Sequence, residues 1–482
     1  MLFNSLAFMG FFPITTLGYF LLKPQHRWLW LLLASCVFYM AFIPKYLAIL
    51  GITILIDYLA AICIEKAEGK ERKNYLIISI VTTCLILFVF KYYNFFQESV
   101  VYLAKVIGWQ YSLEALEIIL PIGLSFHTFQ SLSYVIEVYR GNQKAEKHFG
   151  IYALYVMFYP QLVAGPIERP QNLLHQFHNL PAFRSENVSK GINMMLWGLF
   201  KKIVIADQLA EIVEKVYAQP NLMPLAYVIG TVCFALQIYC DFSGYSEVAI
   251  GAAKVMGFEL MTNFKLPYYS TSISEFWRRW HISLSTWFKD YVYIPLGGSQ
   301  VAPYRKYLNL LITFLISGLW HGASWTFVVW GGLNGVLLIV EQVAKSLFTQ
   351  YLKGKYFITD FIYKLGAWCC TFSLICMTWV FFRANNLPHA IAILRHIVKL
   401  PSISLKEQFA HFQQHIMAFD KNAMLLVASL CLFLIGDHFV QRNDFFAKTV
   451  FPLRWSFCYL ILIWMLLFGK IENPPSFIYF QF

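Results

Sequence analysis

The sequence predicts an all-α polytopic integral membrane protein, with roughly 11–13 membrane helices and re-entrant and interfacial helices around a central tunnel. Three observations carry that expectation. Hydrophobic residues make up 59% of the 482 and charged residues only 13%, against about 45–50% and about 25% in soluble domains. Apolar runs recur along the whole chain, and at about 20 residues per span they leave no room for a sizeable water-soluble domain. The net charge of +12, from 38 Lys+Arg against 26 Asp+Glu, sits between those runs, where orientation signals belong. Nucleic-acid binding, which such a charge would raise in a soluble chain, is therefore not expected; the partner of this surface is the lipid bilayer.

The first run, residues 5–22, lacks a basic n-region and an AxA-like cleavage site and reads as a retained span. Further runs cover 28–43, 46–64, 75–90, 117–138, 151–164, 191–210, 225–250, 308–340, 361–382, 423–440 and 455–469. The run 308–340 is long enough for two spans, with Gly331-Gly332 as the expected bend. Lys23 and Arg27 follow the first run and Lys66, Lys70, Arg72 and Lys73 the third, so the positive-inside rule places Met1 outside. Continued alternation puts Arg140, Lys144 and Lys147 inside as well. Beyond them the pattern degrades: 151–170 holds Pro160, Pro166 and Pro170, and 265–306 is polar, aromatic and basic. Non-helical backbone at membrane depth survives only inside protein or facing a cavity, so the middle of the chain should hold the site. The expected organisation is one membrane domain over 1–482: N-terminal spans over 1–150, a core with the site over 151–340, and C-terminal spans over 341–482. There is no repeat of about 20–50 residues and no inverted pairing of broken runs. The ten cysteines form no CxxC pair and read as small buried hydrophobes, so no metal site is expected.

Candidate chemistry begins at Ser272–Tyr291, SISEFWRRWHISLSTWFKDY. Ser272 and Glu275 have capping-box spacing and predict a helix start; Pro295 stops the helix. At about 100° per residue, Trp277, Trp280, His281, Leu284, Trp287, Phe288 and Tyr291 fall on one face and Arg278, Arg279, Lys289 and Asp290 elsewhere. This reads as one amphipathic helix lying at the interface, with His281 at the edge of its apolar face. Its basic back suits either headgroups or the phosphates of a substrate. IPLGG, residues 294–298, follows as a turn.

SGLWHGASW, residues 317–325, places His321 at predicted membrane depth, where an ionisable residue is functional by default. Its unperturbed pKa of about 6.5 suits proton transfer. A neutral imidazole bonded to a neighbouring helix is the structural alternative. Gly318 and Gly322 put small residues on one helix face, which permits close packing or backbone approach by a substrate. In QIYCDFSGYSE, residues 237–247, the carboxylates of Asp241 and Glu247 could bond a histidine on another helix or stay solvated. PQLVAGPIERP, residues 160–170, reads as a proline-kinked re-entrant element with Glu168 and Arg169 as a surface pair.

These segments together resemble the membrane-bound O-acyltransferase family, in its bacterial alginate O-acetyltransferase-like branch. The resemblance lies in PIGLSFHTFQSLSYVIEVYRG (121–141), LVAGPIERP (162–170), WGLFKKIVIAD (197–207), YCDFSGYSEVAIGAAKVMGF (239–258), EFWRRWHISLSTWFKDYVYIPLGG (275–298), GLWHGASWTFVVWGGLNG (318–335) and FIYFQF (477–482). The D-alanyl transfer proteins of teichoic acid synthesis share the RWHxSLSxW-like helix, whereas IPLGG and FIYFQF look more like the alginate-type branch. The resemblance implies a membrane O-acetyltransferase with catalytic His321, and with His281 as the second polar position. Trp280, Arg278, Arg279, Asp241 and Trp320 are the expected substrate- or donor-binding residues. It also implies acetyl-CoA as acyl donor, no bound cofactor, a polysaccharide acceptor (alginate-like, peptidoglycan or another glycan), a periplasmic or cell-surface SGNH-type acetyltransferase partner, and the bacterial cytoplasmic (inner) membrane. The mechanism expected is general-base catalysis by His321; direct transfer and an acetyl-His321 intermediate both fit the sequence. The competing classes are a transporter or flippase with His321 as proton relay, and a non-catalytic scaffold for a periplasmic acetyltransferase.

Overall fold

A computed structural model of the chain describes residues 1–109, 111, 114–117, 120–348, 357–418, 420–443, 451–470, 475 and 477–480. The last two residues of FIYFQF therefore lie outside the described residues. Among the described residues there are helices and turns but no strands. Six helices are long and apolar enough to cross a membrane, the windows being Tyr46–Lys66, Gly69–Val106, Pro224–Val255, Trp325–Ser346, Phe361–Arg383 and Lys421–Val440, and three apolar helices are shorter. Large apolar side chains such as Leu6, Leu21, Leu59, Leu85, Leu466 and Leu467 are exposed. Apolar exposure on this scale marks a surface made for a partner or a membrane, and along spans of this length it is the lipid-facing side. The chain is a multi-pass membrane protein.

Two compact units form, Met1–Met195 with Ser246–Met261, and Leu196–Tyr245 with Thr262–Phe482. The first contains α1 (Leu6–Leu21), α2 (Pro24–Met40), α3 (Tyr46–Lys66), α4 (Gly69–Leu87), α5 (Tyr93–Val106), α6 (Leu124–Arg140), α7 (Phe149–Met157), α8 (Tyr159–Leu162) and α9 (Pro170–His178). α1 starts where Ser5 caps Phe8 N–H at 3.2 Å, and α2 starts on Pro24, whose missing N–H costs nothing at a first turn. The expected basic loop after α3 is mostly helical, since only Ala67 and Glu68 separate α3 from α4 and Lys66, Lys70, Arg72 and Lys73 lie in the helices; α4 runs through one widened turn, Phe88–Tyr92, directly into α5. The run expected to end near residue 90 thus continues as helix to Val106, because nothing between Lys70 and Ile107 is a proline or glycine. α6 is bounded by Gly123 and Gly141 with φ of 80° and 79°, left-handed conformations that glycine adopts without a Cβ penalty.

Polar side chains fasten these helices to each other. Asp57 on α3 accepts hydrogen bonds from Ser79 (2.7 Å) and Thr83 (3.1 Å) on α4, which satisfies a carboxyl that is fully buried. Glu168, expected with Arg169 as a surface pair, is instead fully buried. It accepts from Met261 N–H and from Asn172, and burial pushes its carboxyl up to about 7. The kinked segment before it packs entirely inside, so a charge read from sequence as solvated becomes a brace.

The second unit takes in α11 (Asp207–Ala218), α13 (Ile273–Arg279), α14 (Ile282–Phe288), α15 (Pro303–His321), α16 (Trp325–Phe348), α17 (Phe357–Arg383), α18 (Leu387–Val398), α19 (Leu405–His415), α20 (Lys421–Asn443) and α21 (Phe451–Phe468). α10 (Ser185–Phe200) and α12 (Pro224–Val255) contribute residues to both units. The apolar stretch 308–340 does form two helices, but Gly331-Gly332 does not bend it; the break is Gly322–Ser324. A Cβ on Gly318 would meet Phe327 O at 2.3 Å and the Cα of Gly331 at 3.1 Å. These glycines let the backbones of α15 and α16 touch, and α15 is thereby seated so that its last residue, His321, is buried.

Candidate active site

The helix expected over Ser272–Tyr291 is interrupted. Ser272 Oγ accepts from Glu275 N–H at 3.2 Å, as the capping box predicts, while the Glu275 carboxylate accepts from Thr271 N–H at 2.9 Å rather than from the cap residue itself. α13 then ends at Arg279, and His281 adopts φ 43° and ψ 56° before α14 begins. A left-handed residue other than glycine is unfavourable by about 1–2 kcal/mol, and the neighbouring segment holds it there. Asn263 O accepts Ile282 N–H at 2.8 Å, and Arg279 O accepts Lys265 N–H at 2.9 Å. Of the residues expected on the apolar face, Trp277 and Tyr291 are half-buried, while Trp280, Leu284, Trp287 and Phe288 are buried. They get there through a kink rather than along one helical face, because the polar backbone groups freed at Arg279 and Ile282 find partners in residues 263–265. The same kink brings His281 from the edge of a face to 1% exposure.

His281 and His321 line one cavity of about 490 Å³, together with Trp277, Arg278, Trp280, Lys289, Tyr293, Thr313, Ser317 and others. His321 is 4% exposed. Arg278 and Lys289, on the same cavity, are exposed, so its lining combines exposed cations with buried imidazoles. The two histidines are mounted differently. The His281 ring stands T-shaped on Phe242, centroids 4.6 Å apart, and its Nδ1 lies 3.1 Å from Asn263 Oδ1. The His321 ring stands among Trp320 (4.8 Å), Trp330 (4.9 Å), Phe382 (5.4 Å) and Tyr479 (5.7 Å). Trp320 also reaches towards His281, at 6.4 Å.

Of the other expected site residues, Trp280 is buried against Phe276, stacked at 5.5 Å, and Trp379 at 5.1 Å, and forms cavity wall. Arg278 lines the cavity, whereas Arg279 pairs with Glu275 at 2.7 Å. Asp241 neither bonds a histidine nor stays solvated: it pairs with Lys202 at 2.8 Å and accepts Ile478 N–H at 2.8 Å. Lys202 also pairs with Asp207 at 2.8 Å. Beside them Tyr239 donates to Asp437 at 2.6 Å, and Lys201 lies 3.7 Å from the same carboxylate. All five ionisable side chains are buried, two lysines among three aspartates, and each has an oppositely charged neighbour, without which such burial would be strongly destabilising.

This network anchors Phe477–Tyr479, and Tyr479 in turn packs on Phe242 at 4.5 Å as well as on His321. Asp241 does not line the cavity; it is linked to the His321 ring through the C-terminal segment. Lys201, Lys202, Asp207 and Asn263 were not singled out from sequence. The first three carried a legible signal, two lysines and an aspartate at the end of an apolar run, which intramembrane charge costs make informative. Asn263 carried none. Among the described residues no group of His, Cys, Asp and Glu is arranged to hold a metal ion.

Comparison with known proteins identifies the family. The family model of membrane-bound O-acyltransferases matches residues 148–382, a stretch that contains both histidines. The chain is 33% identical to a peptidoglycan O-acetyltransferase of Helicobacter pylori across 100% of its own length and 98% of the relative's. It is 38% identical to a probable alginate O-acetylase AlgI of Pseudomonas aeruginosa, over 80% of this chain and 73% of that one. A teichoic acid D-alanyltransferase of Streptococcus thermophilus is 27% identical over 46% of this chain and 56% of its own. A chain matched along its full length by the Helicobacter pylori relative at 33% identity and over residues 148–382 by the family model belongs to the membrane-bound O-acyltransferase family and is an acyltransferase enzyme.

Proposed function

We propose that the protein is an O-acetyltransferase of the bacterial cytoplasmic membrane that passes an acetyl group from cytoplasmic acetyl-CoA towards a cell-envelope polysaccharide. The observation that carries this reading is the shared cavity: two buried histidines and the exposed cations Arg278 and Lys289 in the same lining. The relatives named for peptidoglycan and alginate acetylation support a glycan as final acceptor, with an SGNH-type extracytoplasmic acetyltransferase as the partner that completes delivery.

In this reading His321 is the general base. Its imidazole takes the proton of the acceptor hydroxyl as the hydroxyl oxygen attacks the thioester carbonyl carbon. The tetrahedral intermediate collapses, the C–S bond breaks, and the imidazolium returns the proton to the departing thiolate. An ester and free CoA result, with His321 neutral again. Arg278 and Lys289 hold the donor's phosphates, a task suited to Arg and Lys; Trp280 shapes the wall, Trp320 packs on the His321 ring, and Arg279 stays on Glu275. The test is radiolabelled acetyl-CoA supplied to the cytoplasmic side of vesicles containing the protein. Release of CoA with label passing to envelope polysaccharide is expected; intact acetyl-CoA in the presence of well-folded protein would leave the transporter and scaffold readings instead.

A further inference from the structure

The two non-glycine residues with positive φ among the described residues, Leu266 (47°) and His281 (43°), flank one small knot of hydrogen bonds. At its centre is Asn263, 1% exposed. Its backbone oxygen accepts from Ile282 N–H. Its side-chain Oδ1 lies 2.9 Å from Ser283 Oγ, 3.3 Å from Ser283 N and 3.1 Å from His281 Nδ1.

These contacts determine more than position. Which amide atom is oxygen and which imidazole nitrogen carries the proton must be worked out from the network, and here one member has no choice. The Ser283 backbone N–H can only donate, so the Asn263 atom it meets is the carbonyl oxygen. An amide oxygen can only accept. Ser283 Oγ, 3.4 Å from His281 Nδ1, gives its one hydrogen to the nearer Asn263 Oδ1 at 2.9 Å, so the imidazole nitrogen facing that oxygen at 3.1 Å bonds it only as a donor, and in a neutral ring that leaves the lone pair on Nε2.

We infer that Asn263 is a positioning residue which holds His281 as its Nδ1–H tautomer, so that Nε2 serves the cavity as a hydrogen-bond acceptor. His281 then receives a hydrogen bond from a substrate N–H or O–H and cannot, while neutral, donate to the thioester carbonyl. It orients a substrate, and oxyanion stabilisation falls to other groups. The catalytic consequence rests on the acetyl-transfer reading; the tautomer does not, and the two are tested separately.

The tautomer is read from nitrogen NMR of the protein with ¹⁵N-labelled histidine, with His281 identified by its absence in His281→Asn. A protonated Nδ1 and a bare Nε2 are expected. In Asn263→Leu, which keeps the volume but cannot accept, that pattern should be lost and kcat should fall by up to about tenfold, with KM for acetyl-CoA little changed. Asn263→Asp retains an acceptor at the same place. It should keep the tautomer and most of the rate, while its charge favours imidazolium and moves the acid limb of the pH profile upwards. An Nε2–H pattern in the wild type overturns the inference, as does an Asn263→Leu protein with unchanged tautomer and kcat. If Asn263→Leu does not fold, the wild-type spectrum and Asn263→Asp still decide. Should the acetyl-CoA assay itself fail, the spectrum stands independently.

Discussion

His281 and His321 share a cavity but not a support. His281 is seated by hydrogen bonds at a backbone kink, with Asn263 on its Nδ1 and an extended segment bonded to either side of it. His321 ends a long helix among Trp320, Trp330, Phe382 and Tyr479. A ring locked by a fixed acceptor has one tautomer and one direction of hydrogen bonding, which suits orientation. A ring surrounded by aromatic side chains can become cationic without breaking its mount, since π faces attract cations, and this suits a group that must take up a proton and return it. On the proposed reading, the same side chain serves two tasks according to its surroundings.

That contrast can be broken most sharply at His321. His321→Gln keeps much of the volume and hydrogen-bonding capacity but cannot bind a proton near neutrality, and should lose about 10²–10⁴-fold in acetyl transfer at normal protein levels. Near-wild-type acetylation would remove His321 as the base. The next effect is on its support. Lys202→Met leaves Asp207 and Asp241 buried without their shared cation, a change of about 3–5 kcal/mol that thermal unfolding in detergent should register. Arg279→Met, at a partly exposed pair with Glu275, should change stability by about 1 kcal/mol or less.

Gly318→Ala tests the helix seat. The added methyl would meet the α16 backbone at Phe327 O, and the overpacking should cost about 1–3 kcal/mol, seen as a lower melting temperature with reduced transfer, because His321 ends the displaced helix. The smallest loss is expected at His281. His281→Asn retains a side chain that can accept a hydrogen bond and should keep activity within about tenfold of wild type. Complete inactivity in a folded His281→Asn protein would invert the ranking of the two histidines.

The sequence by itself determined the all-α membrane class, the positions of the long apolar helices, the capped helix start at Ser272 and the two histidines on which the proposed chemistry rests. These are local or compositional properties: apolar run length against bilayer thickness, a cap three residues from its partner, an ionisable ring where hydrocarbon is expected. Tertiary structure alone decided the rest. That helix 272–291 breaks at His281 depends on residues 263–265, whose backbone groups make the break affordable. Arg279 turns to Glu275 while Arg278 reaches the cavity, a difference of one residue that helical periodicity cannot rank once the helix is kinked. Asp241 and the C-terminal segment meet across more than two hundred positions, as the bond to Ile478 shows. Hydrogen-bond partners of buried polar groups are chosen by whatever the fold brings within about 3 Å, and no spacing along the chain encodes that.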